Sequence, residues 1–204
     1  NGLDRNCKGV IRGSMHRTEG IIISSEKIGE SDSLCSIFTK EYGKLKVVAQ
    51  GVRKIDSKLR AILQPGHHIS FHFLPLRSGR YRLTSPTLIN SFAGIRSNSE
   101  KLATHLYLLS VFDSIVFEES KDDGLWDLLL QWSGELSELL EAGNASSLRF
   151  WFLSHLLFCL GFSSPNMNTP KALAEYSSHG VSESEKEKLR EGYAVFLQFS
   201  KVFF

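Results

Sequence analysis

The sequence predicts an α+β, multi-domain chain: a small N-terminal β-barrel followed by an all-α helical domain. Three observations predict it. Apolar residues recur with period 2 in short runs as far as residue 92, and with a helical period from residue 97 onward. Charge divides at the same place: residues 1–98 hold 16 Lys and Arg against 7 Asp and Glu, whereas residues 99–204 hold 8 against 15. At 204 residues and 42% hydrophobic content, the chain can bury the cores of two small domains. The expected organisation is a tag or disordered extension over 1–14, a barrel domain over 15–95 and a helical domain over 96–204.

Residues 1–14 are polar and lack periodicity, and Met15 follows Gly13-Ser14 as a natural initiator follows a cloning scar. The first strand is expected around Gly20-Ile21-Ile22-Ile23. Leu34 to Phe38 forms the second, the reversal Lys40-Glu41-Tyr42-Gly43-Lys44 follows, and Leu45 to Ala49 forms the third, at hairpin spacing. Ser57 to Leu63 is long enough for two helical turns before Pro65-Gly66 stops it. Ile69, Phe71 and Phe73 alternate with Ser70 and His72 as a half-buried strand does, and Tyr81 to Thr84 starts a fifth strand extending toward Leu88-Ile89. Three strands, a short helix and two more strands is the order of an OB-fold barrel.

In the second half, Ser97-Asn98-Ser99-Glu100 has the form of a capping box, followed by Leu102, Leu106, Leu109, Phe112 and Val116 on one helical face. Asp122-Asp123 precedes a second helix with Leu125, Leu128, Leu129, Trp132, Leu136 and Leu139 as its stripe. The third helix, Leu148 to Gly161, is apolar nearly all round and is expected at the centre of a bundle. Ser182 to Glu185, a second capping box, opens a last helix toward Phe199.

Cys7, Cys35 and Cys159 are far apart, with no Cys-x-x-Cys pair, which argues against a zinc ribbon and a disulfide framework. No apolar run reaches the roughly 18 residues of a membrane span, so a cytoplasmic setting without membrane contact is expected. No Gly-x-Ser-x-Gly, Walker-type, His-Glu-x-x-His or Gly-x-Gly-x-x-Gly motif occurs. The expectation is a non-enzyme without a cofactor. His67, His68 and His72 do not make a metal site: His68 and His72 stand roughly 13 Å apart on a strand, and His67 and His68 point to opposite faces. Glu30 and Asp32 in Gly29-Glu30-Ser31-Asp32 could suggest a magnesium-dependent nuclease, but turn carboxylates before a strand commonly accept backbone amides.

The strongest constellation is Lys44, Lys46, Arg53, Lys54, Lys58 and Arg60, on the second hairpin and the loop-helix after it. Cations that follow a phosphate backbone, with rings for base stacking, are what sequence-tolerant binding of single strands requires. The alternative is a solvated charged face. Tyr42 at the hairpin tip and Tyr81 are candidates either for stacking or for the core, whereas the strict alternation of Phe71 and Phe73 assigns them to the core. Arg77, Arg80 and Arg82 either extend the groove or form a solvated hairpin tip.

With these residues in view, the chain resembles the family of the bacterial DNA repair and recombination mediator RecO. The resemblance rests on Thr18-Glu19-Gly20-Ile21-Ile22, Gly29-Glu30-Ser31-Asp32, Phe38 to Lys44 and Ala49-Gln50-Gly51-Val52-Arg53-Lys54, followed by Ser57-Lys58-Leu59 and Leu63-Gln64-Pro65. Leu156-Leu157 with Leu160-Gly161-Phe162 is similar to that family's helical-domain signature. The resemblance implies an OB-fold domain and then a helical domain. It also implies binding of single- and double-stranded DNA, annealing of complementary strands, and partnership with RecR and the single-stranded-DNA-binding protein. The family's basic segment maps by position onto Arg53, Lys54, Lys58 and Arg60. Many relatives carry a four-cysteine zinc motif after the Gly-Phe-x-Pro step, but Asn166 to His179 has no cysteine here, so no metal is expected. Arg149 is the expected contact for the acidic tail of the single-strand-binding protein, with a local salt bridge as the alternative. A protein-binding adaptor with an OB-fold is the competing class, and a metal-dependent nuclease the third.

Overall fold

A computed structural model of the chain describes residues 15–54, 57–76 and 80–139, together with residues 149, 152, 153, 155, 156, 159 and 160. The extension expected over 1–14, Arg77 and the last helix expected from Ser182 lie outside the described residues.

Five strands follow in chain order: β1 (His16–Ile28), β2 (Asp32–Thr39), β3 (Gly43–Ala49), β4 (His68–Pro75) and β5 (Tyr81–Asn90). They close into a barrel in the order β1-β2-β3-β5-β4. The 13-residue β1 pairs antiparallel with both β2 and β4, and a register shift between Ile22 and Ser24 bends it around the barrel. β3 closes the barrel on β5 in parallel, through Val47 opposite Tyr81 and Val48 opposite Arg82. Alternation explains the core: Ile22, Cys35, Ile37, Leu45, Val47, Ile69, Phe71, Phe73, Tyr81 and Leu83 fill the interior. The short helix α1 (Leu59–Ile62) is a single turn, shorter than the run Ser57 to Leu63 suggests, because Leu63 leaves the helical region at ψ 55°. Leu59, Ile62, Leu63 and Val52 pack against the barrel core.

Three further helices follow: α2 (Ala93–Arg96), α3 (Ser99–Ile115) and α4 (Asp123–Glu138). The cap of α3 differs from the expected box. Asn98 is the N-cap and its Oδ1 accepts from the amides of Glu100 and Lys101, while Ser97 closes α2 with its hydroxyl on the Gly94 carbonyl. The buried face of α3 is also turned from the leucine stripe. Lys101, Thr104, His105, Leu108, Leu109 and Phe112 are buried, whereas Leu106 is 41% exposed. Two tertiary contacts explain the turn. The Lys101 ammonium donates to the carbonyls of Ser137 and Leu139 at the C-terminal end of α4, where a cation meets the negative end of the helix dipole. His105 fills the space beside Gly66, where an added Cβ would lie 2.5 Å from its ring. In α4 the expected stripe holds: Asp122 caps the helix, and Leu125, Leu128, Leu129, Trp132 and Leu136 are buried.

α3 and α4 cover part of the barrel's outer surface. The Phe38 ring of β2 meets Phe112 edge-on at 5.1 Å, and His68 of β4 meets Trp126 at 5.6 Å. The chain divides into two compact units, Asn1–Ala145 and Ser146–Phe204, so the first takes in α3 and α4 along with the barrel. In the second unit the described residues from 149 to 159 are helical; Phe152, Leu153 and Leu156 are buried and Arg149 is exposed. No helix among the described residues is long and apolar enough to cross a membrane.

Candidate nucleic-acid interface

The loop after β3 is held by the turn between β1 and β2. Asp32 Oδ1 accepts from the Gly51 amide at 2.9 Å, the Arg53 amide donates to the Ser31 carbonyl at 2.9 Å, and the Arg53 guanidinium donates to the Gly29 carbonyl at 3.0 Å. Asp32 is therefore a backbone anchor, as turn carboxylates commonly are. This stitching fixes the start of the segment that carries Arg53, Lys54, Lys58 and Arg60, all four exposed. Among the described residues none of the four is in an ion pair. Gly51 turns the chain with φ +67°, which brings Val52 inward and leaves the next two cations in water. Lys27 at the end of β1 lies opposite Ser33 and adds an exposed cation near this end of the barrel. Its spacing from the 44–60 cluster left it outside the sequence reading.

The two β3 lysines are placed differently from the expectation. Lys44 is only 6% exposed, its ammonium 3.3 Å from Asp113 Oδ1 and donating to the Asp113 carbonyl at 2.6 Å. A buried ammonium must be paired, and this one is already paired with α3, so Lys44 leaves the phosphate-facing set. Lys46 points outward but binds Glu118 Oε1 at 2.6 Å, and that carboxylate raises the lysine's pKa. Asp113→Asn is expected to lower stability by about 3 kcal/mol in urea unfolding, because it removes the countercharge of a buried lysine.

Tyr42 and Tyr81 both pack as edge-of-core residues. The Tyr42 ring lies against Phe73 at 5.1 Å and His16 at 5.8 Å, at the hairpin tip, and β3 runs from there to the Arg53 loop. At about 3.3 Å per residue, the seven residues of β3 separate the two ends by roughly 23 Å, so Tyr42 does not join the cationic loop. Tyr81 is 8% exposed and donates to Glu119 Oε1 at 2.8 Å; burial, with that carboxylate, pushes its pKa up to about 12. Arg80 and Arg82 are exposed, and the register sets Arg82 beside Val48, two residues beyond Lys46 on the same outer face. Arg17, opposite His72, is a further exposed cation on the outer surface that the cluster-based reading missed.

Two of the three histidines, His67 and His68, serve the fold. His67 Nδ1 meets the Ile62 carbonyl at 2.9 Å, His68 stands between Glu19 and Trp126, and burial lowers the pKa of both rings. The His68 Nε2 to Glu19 Oε2 distance of 3.4 Å describes proximity rather than a formed hydrogen bond, since that nitrogen has no hydrogen-bond partner among the described residues. No group of three or more His, Cys, Asp or Glu side chains suited to a metal ion occurs among the described residues.

A closed five-stranded barrel of OB type, backed by helices and carrying exposed cations on the loop after its third strand, defines the class. Comparison with known proteins narrows it: residues 14–92 match the family described as recombination protein O N terminal. Similar proteins include a DNA repair protein RecO from Syntrophomonas wolfei, 33% identical over 147 residues that cover 72% of this chain and 57% of that one. Another, from Alkaliphilus metalliredigens, is 33% identical over 113 residues, covering 55% and 46%; a third, from Trichodesmium erythraeum, is 32% identical over 154 residues, covering 72% and 51%. Over residues 14–92 the chain carries the N-terminal domain of the RecO family, and it spans about half the length of the curated relatives it matches.

Proposed function

We propose that this chain is a recombination mediator that binds single- and double-stranded DNA, anneals complementary strands, and acts with RecR and the single-stranded-DNA-binding protein in bacterial DNA repair. The observation that carries the reading is the set Arg53, Lys54, Lys58 and Arg60, exposed on one loop-helix segment and without ion pairs among the described residues. Exposed cations spaced along a segment can each neutralise a phosphate and release its counterion. When two strands are held in this way their mutual repulsion falls, and complementary bases can meet. The mechanism involves no covalent step, so no catalytic residue is assigned. Arg80 and Arg82 extend the cationic surface along the outer face of β5, and Arg149 in the second unit is the contact for the acidic tail of the single-strand-binding protein. The setting is the bacterial cytoplasm, at the nucleoid. The domains in this reading are a barrel over 15–95 and a helical part over 96–204, although α3 and α4 fall in the same compact unit as the barrel.

Salt dependence tests the reading. Four neutralised phosphates give a slope of log affinity for single strands against log salt near −0.7 × 4, or roughly −3. Arg53→Ala with Lys54→Ala is expected to flatten it to about half, because two contacts are lost. A flat slope in the parent protein, together with no acceleration of oligonucleotide annealing, would instead identify a protein-binding adaptor.

A further inference from the structure

The segment between α3 and α4 lies across the outside of the barrel where β3 and β5 have not yet met. β3 pairs with β5 only from Val47 onward. Ahead of that point Glu118 forms a parallel bridge with Lys44, and the Glu119 amide donates to the Lys44 carbonyl at 3.0 Å. Tyr81 holds the Glu119 carboxylate at 2.8 Å. The backbone of Ser120 sits so close to Gly43 that an added Cβ would lie 2.3 Å from its carbonyl oxygen. These contacts fix the backbone of the segment without using the Glu118 side chain. The Glu118 side chain is thereby free for one job, the 2.6 Å contact with Lys46.

We propose that Glu118 is an acidic latch that occupies Lys46 in place of a nucleic-acid phosphate, so that polynucleotide gains this contact only by displacing the carboxylate. The inference rests on the DNA-binding reading above and adds a regulatory element to the same surface. The two ion pairs of β3 differ in the way a latch requires. The Lys44–Asp113 pair has the lysine side chain 8% exposed and belongs to the fold, whereas Lys46 and Glu118 are 43% and 51% exposed. An exposed pair is weak and is screened by salt, so a chain of phosphates can compete with it. The position also fits. Lys46 shares the outer face of β3 with Val48, and Val48 lies beside the exposed Arg82, so strand geometry puts the two cations roughly 8 Å apart by backbone. That is close to the spacing of successive phosphates on an extended strand. Opening the latch needs only a side-chain rotation of Glu118, since Glu119 and Ser120 keep the segment in place.

The test compares Glu118→Gln with the parent protein for binding of a labelled oligothymidylate across a salt series. The expected result is affinity about fivefold tighter at low salt, the equivalent of one exposed ion pair removed, and a salt slope steeper by about 0.7 from one added phosphate contact. In a Lys46→Ala background the same substitution should have no effect, as a double-mutant cycle requires of a pairwise contact. Glu119→Gln leaves the Lys46 pair intact and should not steepen the slope, which controls for simple loosening of the segment. Unchanged affinity and slope in Glu118→Gln, or a gain that persists without Lys46, would overturn the latch while leaving the DNA-binding reading standing. Absence of salt-dependent binding in both the parent and Glu118→Gln proteins would overturn both, and binding only after Glu118→Gln would support both.

Discussion

Phe73→Ala is expected to lower the unfolding free energy by about 4 kcal/mol, and with it the melting temperature by roughly 10 °C, while single-strand affinity measured below the transition stays within about twofold. Phe73 is fully buried, and its ring meets His16 at 5.4 Å, Tyr42 at 5.1 Å, Phe71 at 6.0 Å and Tyr81 at 5.3 Å. Truncation removes the ring's burial and leaves a cavity that four surrounding rings cannot collapse into without leaving their own partners. The measurement separates two roles an aromatic can have in a small barrel. A base-stacking platform would lose about 1–3 kcal/mol of single-strand affinity per ring with little change in stability. The opposite pattern is expected here, and an affinity loss of that size without destabilisation would reassign Phe73 to the DNA surface.

The second large effect is acid destabilisation through His105. This ring is 3% exposed, lies 4.8 Å from the Trp132 ring, and has Ser133 Oγ 3.4 Å from Nε2. Burial lowers its pKa to about 3, with the charges of Arg96 and His67 adding to the effect. An unfolded histidine titrates near 6.5, so the folded pKa is the lower of the two. The unfolded chain therefore binds the proton first as pH falls, and stability present above pH 6.5 declines progressively toward pH 3. The decline contributed by this ring is about 1.4 kcal/mol per pH unit once pH is well below 6.5. His67 and His68, both lowered by burial, act in the same direction. Urea unfolding at pH 7, 6, 5 and 4 checks the effect, and His105→Leu should make the profile markedly shallower. An unchanged profile in that variant would mean that the acid sensitivity comes from His67, His68 or carboxylates rather than from His105.

Much of the barrel was legible because strand alternation is a local property. Ile69, Phe71 and Phe73 read as one inward face from three positions, and they form that face. The β2–β3 hairpin was legible from the same alternation on both sides of Lys40 to Gly43, and Asp122 and the α4 stripe from capping chemistry and helical period. α3 was harder. Its leucines at 102, 106 and 109 define a plausible stripe, but Lys101 reaching the end of α4 and His105 filling the space beside Gly66 set the actual face. Neither contact has a signature within the helix itself.

The cationic cluster divides along the same line. Arg53, Lys54, Lys58 and Arg60 lie on a loop and a single turn of helix, where long charged side chains extend into water, and they are exposed as expected. Lys44 and Lys46 lie on a strand, where a neighbouring element can cover an outward side chain, and α3 with the segment after it does so.

The sequence by itself determined the succession of strands along the chain, most of the inward-facing residues and the contrast between a basic front half and an acidic rear half, because periodicity, turn chemistry and net charge are properties of neighbouring residues. The tertiary structure alone decided which positive charges remain available. Lys44 meets Asp113 across 69 residues of chain, and Lys46 meets a glutamate from the same later stretch. Coulombic pairing depends on distance in space, which folding sets and chain order does not.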